Sequence, residues 1–372
     1  MKKYAGHIDW YILLTVLGMM LFSIAFVYSA SSSYAELKWD DPDKLFWNHS
    51  IRIFIGIFLM FIFSRVDYHF WKKVSKYLLI VSIIFLILVF IIGIPINNTY
   101  RWVNLGGFNF QPSELAKLGL ILHLCTLITE RQEVIKSFKY SLFPMLFWSF
   151  IVCALIAVQP NFSTAFVIYL LSISIMFIGN TNFLHLLILG GISLAGGLIY
   201  ASSAAYRLER LLVFFNPDEA SALTEKATYQ VNQAILAFGN GGVLGVGPGQ
   251  SRQSHFFLPE SYGDFIFSII GEEYGFLGVF IIISAYILIL WRGFLIAKKA
   301  PDSYGYYLAI GIILTFTLYA FISAGVNSGL LPTTGLPMPF ISYGGSAVIF
   351  YASFMGILLN ISAQAGVFPR KV

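Results

Sequence analysis

Five charged side chains lie in or beside long apolar runs, where a charge is energetically unfavourable. Glu114 and Lys117 share one run, Glu272 and Glu273 share another, and Asp264 directly precedes the second. A charge near the centre of a membrane-spanning helix costs about 3 kcal/mol on insertion scales, so such groups are paired, neutralised or turned to a water-filled cavity. In a cavity, a carboxylate serves as a general acid or base. These five residues are the first candidates for chemistry.

Asp264 supports two interpretations. It stands directly before the apolar run 265–270, at a position where Asp commonly caps a helix, worth about 1 kcal/mol. It also ends a segment rich in amide and acid side chains, which are Gln230, Gln233, Gln253 and Glu260. Apolar helices behind a carboxylate disfavour its ionised form, which suits a general base working near neutral pH. The context favours the general base, and the helix cap is the alternative interpretation.

The other four charges are placed by helical spacing. Glu114 and Lys117 are three residues apart and share a helix face, so they form either a purely structural ion pair or a pair that lines a polar cavity. At 3.6 residues per turn, Glu272 falls about 80° around the helix from Asp264 and Glu273 about 180°. We expect Glu272 to line the same cavity two turns deeper, and Glu273 to face other helices.

The elements that position these residues are membrane spans. The 372 residues are 58% hydrophobic and 11% charged, which excludes a disordered chain and an ordinary soluble domain. The two cysteines lie in apolar runs, which excludes a disulfide scaffold. The sequence predicts an all-α polytopic membrane protein, a single membrane domain over 1–372. Apolar runs of about 20 residues predict ten helices, at 8–30, 47–64, 74–94, 114–129, 141–158, 163–179, 183–203, 265–291, 305–325 and 343–363.

Basic residues set the orientation of these spans. With the N-terminus inside, the inner segments carry 14 Lys and Arg, the short outer loops carry three, and the long outer segment 204–264 carries four. Both termini are therefore predicted to be cytoplasmic, and 204–264 is the large extracytoplasmic loop. Its glycine-rich part, 239–249, lacks a phosphate-loop motif, and we expect it to be a flexible cover over a substrate. The proline-rich outer segment 326–342 is expected to border the same cavity. The net charge of +5 does not indicate nucleic-acid binding.

Several segments together resemble the SEDS family (shape, elongation, division, sporulation). The segments 101–106 and 111–117, RWVNLG and QPSELAK, resemble its RW…QPSE-x-x-K signature. Residues 206–233 and 258–275 resemble the two ends of its large outer loop, and 329–346 resembles its last outer loop. The spacing G-x-G-x-G-x-S-x-Q at 245–253 favours the division branch over the elongation branch.

The resemblance implies a peptidoglycan glycosyltransferase of the bacterial cytoplasmic membrane that polymerises lipid II, a disaccharide-pentapeptide on undecaprenyl pyrophosphate. The C4 hydroxyl of one sugar attacks the anomeric carbon of the next with inversion. Asp264 corresponds to the family's proposed catalytic aspartate, the general base, and Glu114 and Lys117 to its cavity residues. The substrate-binding candidates are Arg101, Gln111, Arg207, Arg210, Gln230, Gln233, Gln253, Glu260 and Ser342. The three arginines suit the pyrophosphate because a guanidinium pairs with it bidentately. Asn161 departs from the family's usual aspartate and keeps its shape without its charge.

The resemblance also implies partners and a place in the cell. These are lipid II, a class B penicillin-binding protein that crosslinks the strands, and other divisome membrane proteins, at the division septum. A divalent cation, Mg²⁺ or Mn²⁺, would assist departure of the pyrophosphate, although no ligand set in the sequence indicates a metal site. The alternatives are an elongation-type polymerase, a lipid II flippase and a scaffold that only recruits the transpeptidase. A flippase needs a site that alternates between membrane faces, whereas the polar residues here cluster on the outer side.

Overall fold

The computed structural model describes residues 6–96, 99–106, 108–202, 225–259 and 261–369. In these ranges a helix occupies each of the ten predicted spans, so the predicted fold class is confirmed. The spanning helices are α1 (Trp10–Trp39), α2 (Lys44–Arg65), α3 (Tyr68–Ile92), α4 (Pro112–Glu130), α5 (Phe143–Val158), α6 (Phe162–Ile178), α7 (Phe183–Ser202), α9 (Ile266–Lys298), α10 (Ser303–Asn327) and α11 (Ala347–Gln364). Among the described residues, seven segments are long and apolar enough to cross a membrane by themselves, whereas the apolar stretches Phe162–Ile178 of α6 and Phe183–Ser193 of α7 are shorter and α4 carries charged residues.

The two ends of the described chain meet on one face. The strand β1 (Gly6–His7) pairs antiparallel with β5 (Phe368–Pro369). Beside it, the carboxylate of Asp9 caps α1 and accepts hydrogen bonds from Arg292 of α9, at 2.6 Å from Nη2 and 3.0 Å from Nε. An even number of spans therefore lies between the ends, in agreement with the predicted topology.

A small antiparallel sheet, which the sequence did not predict, stands on the opposite face between α3 and α4. It consists of β2 (Ile94–Ile96), β3 (Thr99–Leu105) and β4 (Phe108–Phe110), in that order. Its strands are rich in β-branched and aromatic residues, and the inward-facing Val103 is 1% exposed. The last strand of the sheet leads directly into α4, which therefore begins at the outer side of the helices.

Three helices, α4, α10 and α11, form the buried centre. Most residues of α4 are buried all round its circumference, which is typical of a helix enclosed by others. Glycines permit the closest helix contacts, as expected for membrane packing. A Cβ on Gly119 would lie 3.1 Å from the backbone of Leu79 in α3, and one on Gly356 would lie 2.5 Å from the Met60 carbonyl oxygen in α2. The core thus depends on small residues at these crossings.

The described part of the predicted outer loop contains a further helix, α8 (Glu225–Gly241), which runs beside the outer half of α9. The helix α9 is broken at Gly275, whose φ is 63° and ψ is −161°. The glycine-rich segment after α8 fills this break with backbone hydrogen bonds: Phe276 N to Gly242 O at 2.9 Å, and Val246 N to Glu272 O at 3.0 Å. The break lies about 15 Å along α9, near half the depth of a bilayer.

This arrangement corrects the prediction of a flexible glycine-rich cover. Backbone at membrane depth must find partners within the protein, and the segment finds them on α9. A Cβ on Gly241 would lie 2.0 Å from the Gly271 carbonyl oxygen, and one on Gly245 would lie 2.1 Å from the Glu273 carbonyl oxygen. The glycines therefore serve close packing of two backbones.

Candidate active site

A polar cavity of about 90 Å³ opens at the outer end of α9. It lies where α8, α9, α10 and the segment after α10 meet, and its lining residues are Gln230, Asp264, Phe265, Val326, Thr333, Thr334, Gly335 and Leu336. Three distant parts of the sequence thus converge on one small space. The structure brings Gln230 and the proline-rich outer segment to Asp264, as the sequence predicts.

Asp264 lies two residues before Ile266, the first residue of α9, because the N-cap of this helix is Phe265, which makes no side-chain capping bond. The carboxylate of Asp264 is half-buried and lies against Gly335. A Cβ on Gly335 would come within 3.3 Å of Asp264 Oδ2, and the φ of +67° at this glycine is one that other residues rarely adopt. The side chain therefore faces the cavity at the outer end of the helix, which suits a proton acceptor for a molecule entering from that side.

Within the predicted segment 326–342, the sequence did not indicate individual roles for Asn327, Thr334 and Gly335. Thr334 lines the cavity, and its buried Oγ1 has no hydrogen-bond partner among the described residues. Asn327, the fully buried last residue of α10, donates from Nδ2 to the carbonyl oxygen of Asp264 at 2.8 Å. Its Oδ1 accepts from the backbone N–H of Ser268 at 3.1 Å. An uncharged amide in an apolar run gives no signal until its neighbours are known.

The Glu114–Lys117 pair lies in the buried centre. Lys117 Nζ donates to Glu114 Oε2 at 2.6 Å and to the Tyr351 hydroxyl at 3.1 Å, and it stands 4.2 Å from the ring centroids of Tyr319 and Tyr351. Lys117 is 0% exposed and Glu114 5%. Neither residue lines the described cavity. The predicted ion pair is present, and tyrosines of α10 and α11 enclose it, whereas a role of the pair in catalysis stays a prediction.

Glu272 and Glu273 hold the segment that fills the break in α9. Glu272 accepts from Asn240 Nδ2 at 3.1 Å, from Ser251 Oγ and from the backbone N–H of Gln253 at 3.2 Å. Glu273 accepts from Gly249 N at 3.1 Å. The prediction that Glu272 lines the Asp264 cavity is wrong, because α8 and the following segment cover this face of α9 and leave Glu272 1% exposed.

Three more predicted binding residues are absent from the lining of this cavity. Arg101 Nε donates to the Gln159 carbonyl oxygen at 3.3 Å, at the turn that precedes Asn161. The backbone N–H of Gln111 donates to Ser346 Oγ at 3.0 Å, and Ser342 Oγ accepts from Met338 N at 2.8 Å. These contacts hold the outer segments in place.

The remaining predicted binding residues belong to the large outer loop 204–264. Gln233 is half-buried on α8, one turn from Gln230, and the buried Gln253 meets Glu272 through its backbone. Arg207, Arg210 and Glu260 lie outside the described residues.

The described residues do not form a protein-only cation site. Among them no group of three His, Cys, Asp or Glu side chains comes together. Of the described residues that line the cavity, Asp264 alone is a carboxylate, whereas Mg²⁺ in proteins takes one or two carboxylates together with substrate phosphates.

Comparison with known proteins decides the family. The family model for FtsW, RodA and SpoVE proteins, described as "Cell cycle protein", matches residues 9–366. The chain belongs to this family. The resemblance to SEDS proteins is thus confirmed. The stage V sporulation protein E of Bacillus subtilis is 38% identical over 94% of this chain and 96% of its own length. A probable peptidoglycan glycosyltransferase FtsW of Geobacter sp. strain M18 is 36% identical over 98% and 99%.

Solved structures share the fold over nearly the whole chain. One is from a peptidoglycan synthase complex described as coordinating polymerization and crosslinking, with 26% identity, a TM-score of 0.79, and coverage of 97% of this chain and 99% of that one. Another is the rod shape determining protein RodA of Thermus thermophilus, with 26% identity, a TM-score of 0.69, and coverage of 95% and 96%. The identities to FtsW and to RodA agree with the predicted likeness to the division branch.

Proposed function

We propose that this chain is a peptidoglycan glycosyltransferase that polymerises lipid II, with Asp264 as the general base. The observation that carries the proposal is the position of Asp264: a half-buried carboxylate in a polar cavity at the outer end of α9, where a lipid-linked sugar arrives. The relatives named as probable peptidoglycan glycosyltransferases match over nearly their full length. The chain therefore contains the counterparts of nearly all residues of these relatives, which supports the same polymerising activity.

The reaction follows from one proton transfer and one displacement. Asp264 accepts the proton of the acceptor sugar's C4 hydroxyl while that oxygen bonds to the anomeric carbon of the donor. The bond from this carbon to the undecaprenyl pyrophosphate breaks on the opposite side, so the configuration inverts. Proton removal by a positioned base is worth about 10²–10⁴ in rate. Gln230 and Thr333, two other polar side chains of the cavity, hold the sugar hydroxyls.

The size of the cavity determines how much of the substrate it holds. A cavity of about 90 Å³ is smaller than the roughly 300–1,000 Å³ typical of ligand pockets. It admits the hydroxyl-bearing edge of one sugar, and the remaining disaccharide, peptide and pyrophosphate lie outside it. Arg207 and Arg210, in the outer loop, are proposed to meet the pyrophosphate, where a divalent cation bound by that group would complement them.

The buried pair Glu114–Lys117 acts in this proposal by holding α4, α10 and α11 in register. Its charge-assisted hydrogen bond and two tyrosine faces satisfy both charges inside the core. Since α10 ends at Asn327 and the cavity begins at Val326, the pair supports the wall of the active site from within.

The partner is proposed to be a class B penicillin-binding protein, in the cytoplasmic membrane at the division septum. The structural likeness to a chain of a peptidoglycan synthase complex supports a transpeptidase partner. The identity to FtsW proteins supports division in preference to elongation. Lipid II and other divisome membrane proteins complete the set of partners.

A reconstitution experiment separates the enzyme from the flippase. Purified protein with its transpeptidase is placed in vesicles that contain fluorescent lipid II, and glycan strand formation and lipid II movement across the bilayer are measured together. The proposal predicts strands whose formation depends on Asp264. Movement of lipid II across the bilayer without any strand formation would replace the enzyme with the transporter.

A further inference from the structure

The start of α9 presents a conflict between two roles for Asp264. The first four backbone N–H groups of a helix lack partners within the helix, and a nearby Asp is among the best side chains to satisfy them. A carboxylate engaged in this way points at the backbone of its own helix. It is then turned from the cavity, and the hydrogen bond from the backbone makes it a weaker proton acceptor. A base at this position therefore needs another group to cap the helix.

The structure supplies that group from α10. The N-cap of α9 is Phe265, so Ser268 is the third helical residue, and its N–H is the usual target of a capping side chain. Asn327 Oδ1 accepts from this N–H at 3.1 Å, and the N–H shares its hydrogen with the Phe265 carbonyl oxygen, also at 3.1 Å. Asn327 Nδ2 donates to the backbone carbonyl oxygen of Asp264 at 2.8 Å and to that of Ser323 at 2.8 Å. One fully buried amide thus caps α9 and holds the backbone of the residue that precedes it.

We propose that Asn327 is a positioning residue for the general base: it caps α9 in place of Asp264 and thereby directs the Asp264 carboxylate into the cavity. The inference rests on the proposed function of Asp264. Asparagine suits the role because its amide accepts and donates at once, whereas aspartate at 327 lacks the donor and leucine lacks both groups. Asn327 does not line the cavity, so it acts on the rate of the chemical step and not on substrate binding.

A second asparagine provides a matched control on the opposite side of the membrane. Asn360 is also 0% exposed, its Oδ1 accepts from the backbone N–H of Tyr68 at the start of α3 at 2.9 Å, and its Nδ2 donates to the Ser64 carbonyl oxygen at 2.9 Å. It makes the same kind of contacts far from Asp264, at the other end of the helices. Its replacement reports the loss of a buried amide without any effect on the base.

The test compares Asn327→Ala, Asn327→Asp, Asn360→Ala and Asp264→Asn as full-length protein in complex with the transpeptidase. Lipid II polymerisation gives kcat and KM per folded molecule, and thermal unfolding gives the melting temperature. We expect Asn327→Ala and Asn360→Ala to lower the melting temperature alike. Only Asn327→Ala should lower kcat, by about five- to tenfold, with KM unchanged, because a competing cap of ordinary strength has that effect. Asn327→Asp retains the acceptor for Ser268, so its kcat should lie between those of Asn327→Ala and wild type.

The outcomes separate the two claims. A wild-type kcat in Asn327→Ala, or in Asn327→Asp if the alanine variant does not fold, together with an inactive Asp264→Asn, overturns the positioning role and leaves the base in place. An equal loss of kcat in Asn360→Ala also overturns it, since the effect is then one of stability. A wild-type rate in Asp264→Asn removes the proposed base itself.

Discussion

Replacing Gly335 with alanine tests the placement of the Asp264 carboxylate without altering its chemistry. The new Cβ would lie 3.3 Å from Asp264 Oδ2, a tighter contact than nine in ten real Cβ contacts, so the carboxylate must move by a few tenths of an ångström. A misplacement of 1 Å costs about 10²-fold in rate, so we expect kcat to fall about threefold to tenfold. The φ of +67° adds a strain of about 1–2 kcal/mol to the stability cost.

Gly106 is the matched control for this backbone strain. Its φ is +61°, and a Cβ on it would meet nothing within 4 Å. Gly106→Ala should therefore lower the melting temperature about as much as Gly335→Ala and leave kcat at the wild-type level. The assay is lipid II polymerisation at saturating substrate, with melting measured on the same preparations. Equal rates for the two variants would refute the placement of the Asp264 carboxylate against Gly335.

Three further predictions address the core, the substrate contact and the inner loops. Lys117→Met leaves the buried Glu114 carboxylate uncompensated and should cost about 3–5 kcal/mol, whereas the double variant with Glu114→Gln should recover most of the loss in thermal unfolding; an equally unstable double variant would contradict this. Thr333→Val keeps the side-chain shape and removes the hydroxyl of a residue that lines the cavity, so KM for lipid II should rise by about three- to tenfold with kcat retained, and an unchanged KM would exclude the contact. Burial would raise the pKa of Asp302, but hydrogen bonds from Tyr68, from a backbone N–H and from His69 lower it below its ordinary value. A lowered pKa contributes stability above about pH 4 that disappears as the pH falls through the folded-state pKa, so the difference in melting temperature between wild type and Asp302→Asn should shrink below about pH 4. A difference that is constant across pH would contradict the assignment.

The ten spans could be predicted because each follows from one local property, the length of an apolar run. The placement of Asp264 near Gln230 at the outer side could also be predicted. Both residues belong to the loop 204–264, which the distribution of basic residues places outside the membrane. The family motifs added the chemistry. These features depend on composition and order along the chain and need no knowledge of packing.

The helix α8 and the break in α9 could not be predicted in this way. The sequence around Gly275 does not indicate a break, because the break depends on hydrogen bonds with the distant segment 241–249. A signal for α8 was nevertheless present, because Ala234, Ala237 and Gly241 recur at helical spacing and all three are buried. Polarity and glycine content masked this periodicity.

The position predicted for Glu272 was wrong for a related reason. The angle from Asp264 to Glu272 assumes one regular helix facing one cavity, whereas α8 covers the deeper part of that face. The Glu114–Lys117 spacing correctly predicted an ion pair, but only tertiary structure shows that Tyr319 and Tyr351 enclose it. Which face of a helix meets water is decided by its neighbours, and the sequence of that helix alone does not contain them.

The most direct test of the central claim is the polymerisation rate of Asp264→Asn, an isosteric change that removes the proton acceptor and keeps the cavity. Purified full-length protein in complex with its transpeptidase is supplied with saturating lipid II, and substrate binding is measured alongside. The account predicts a loss of at least about 100-fold in rate with lipid II still bound. A variant that polymerises lipid II at the wild-type rate would contradict it.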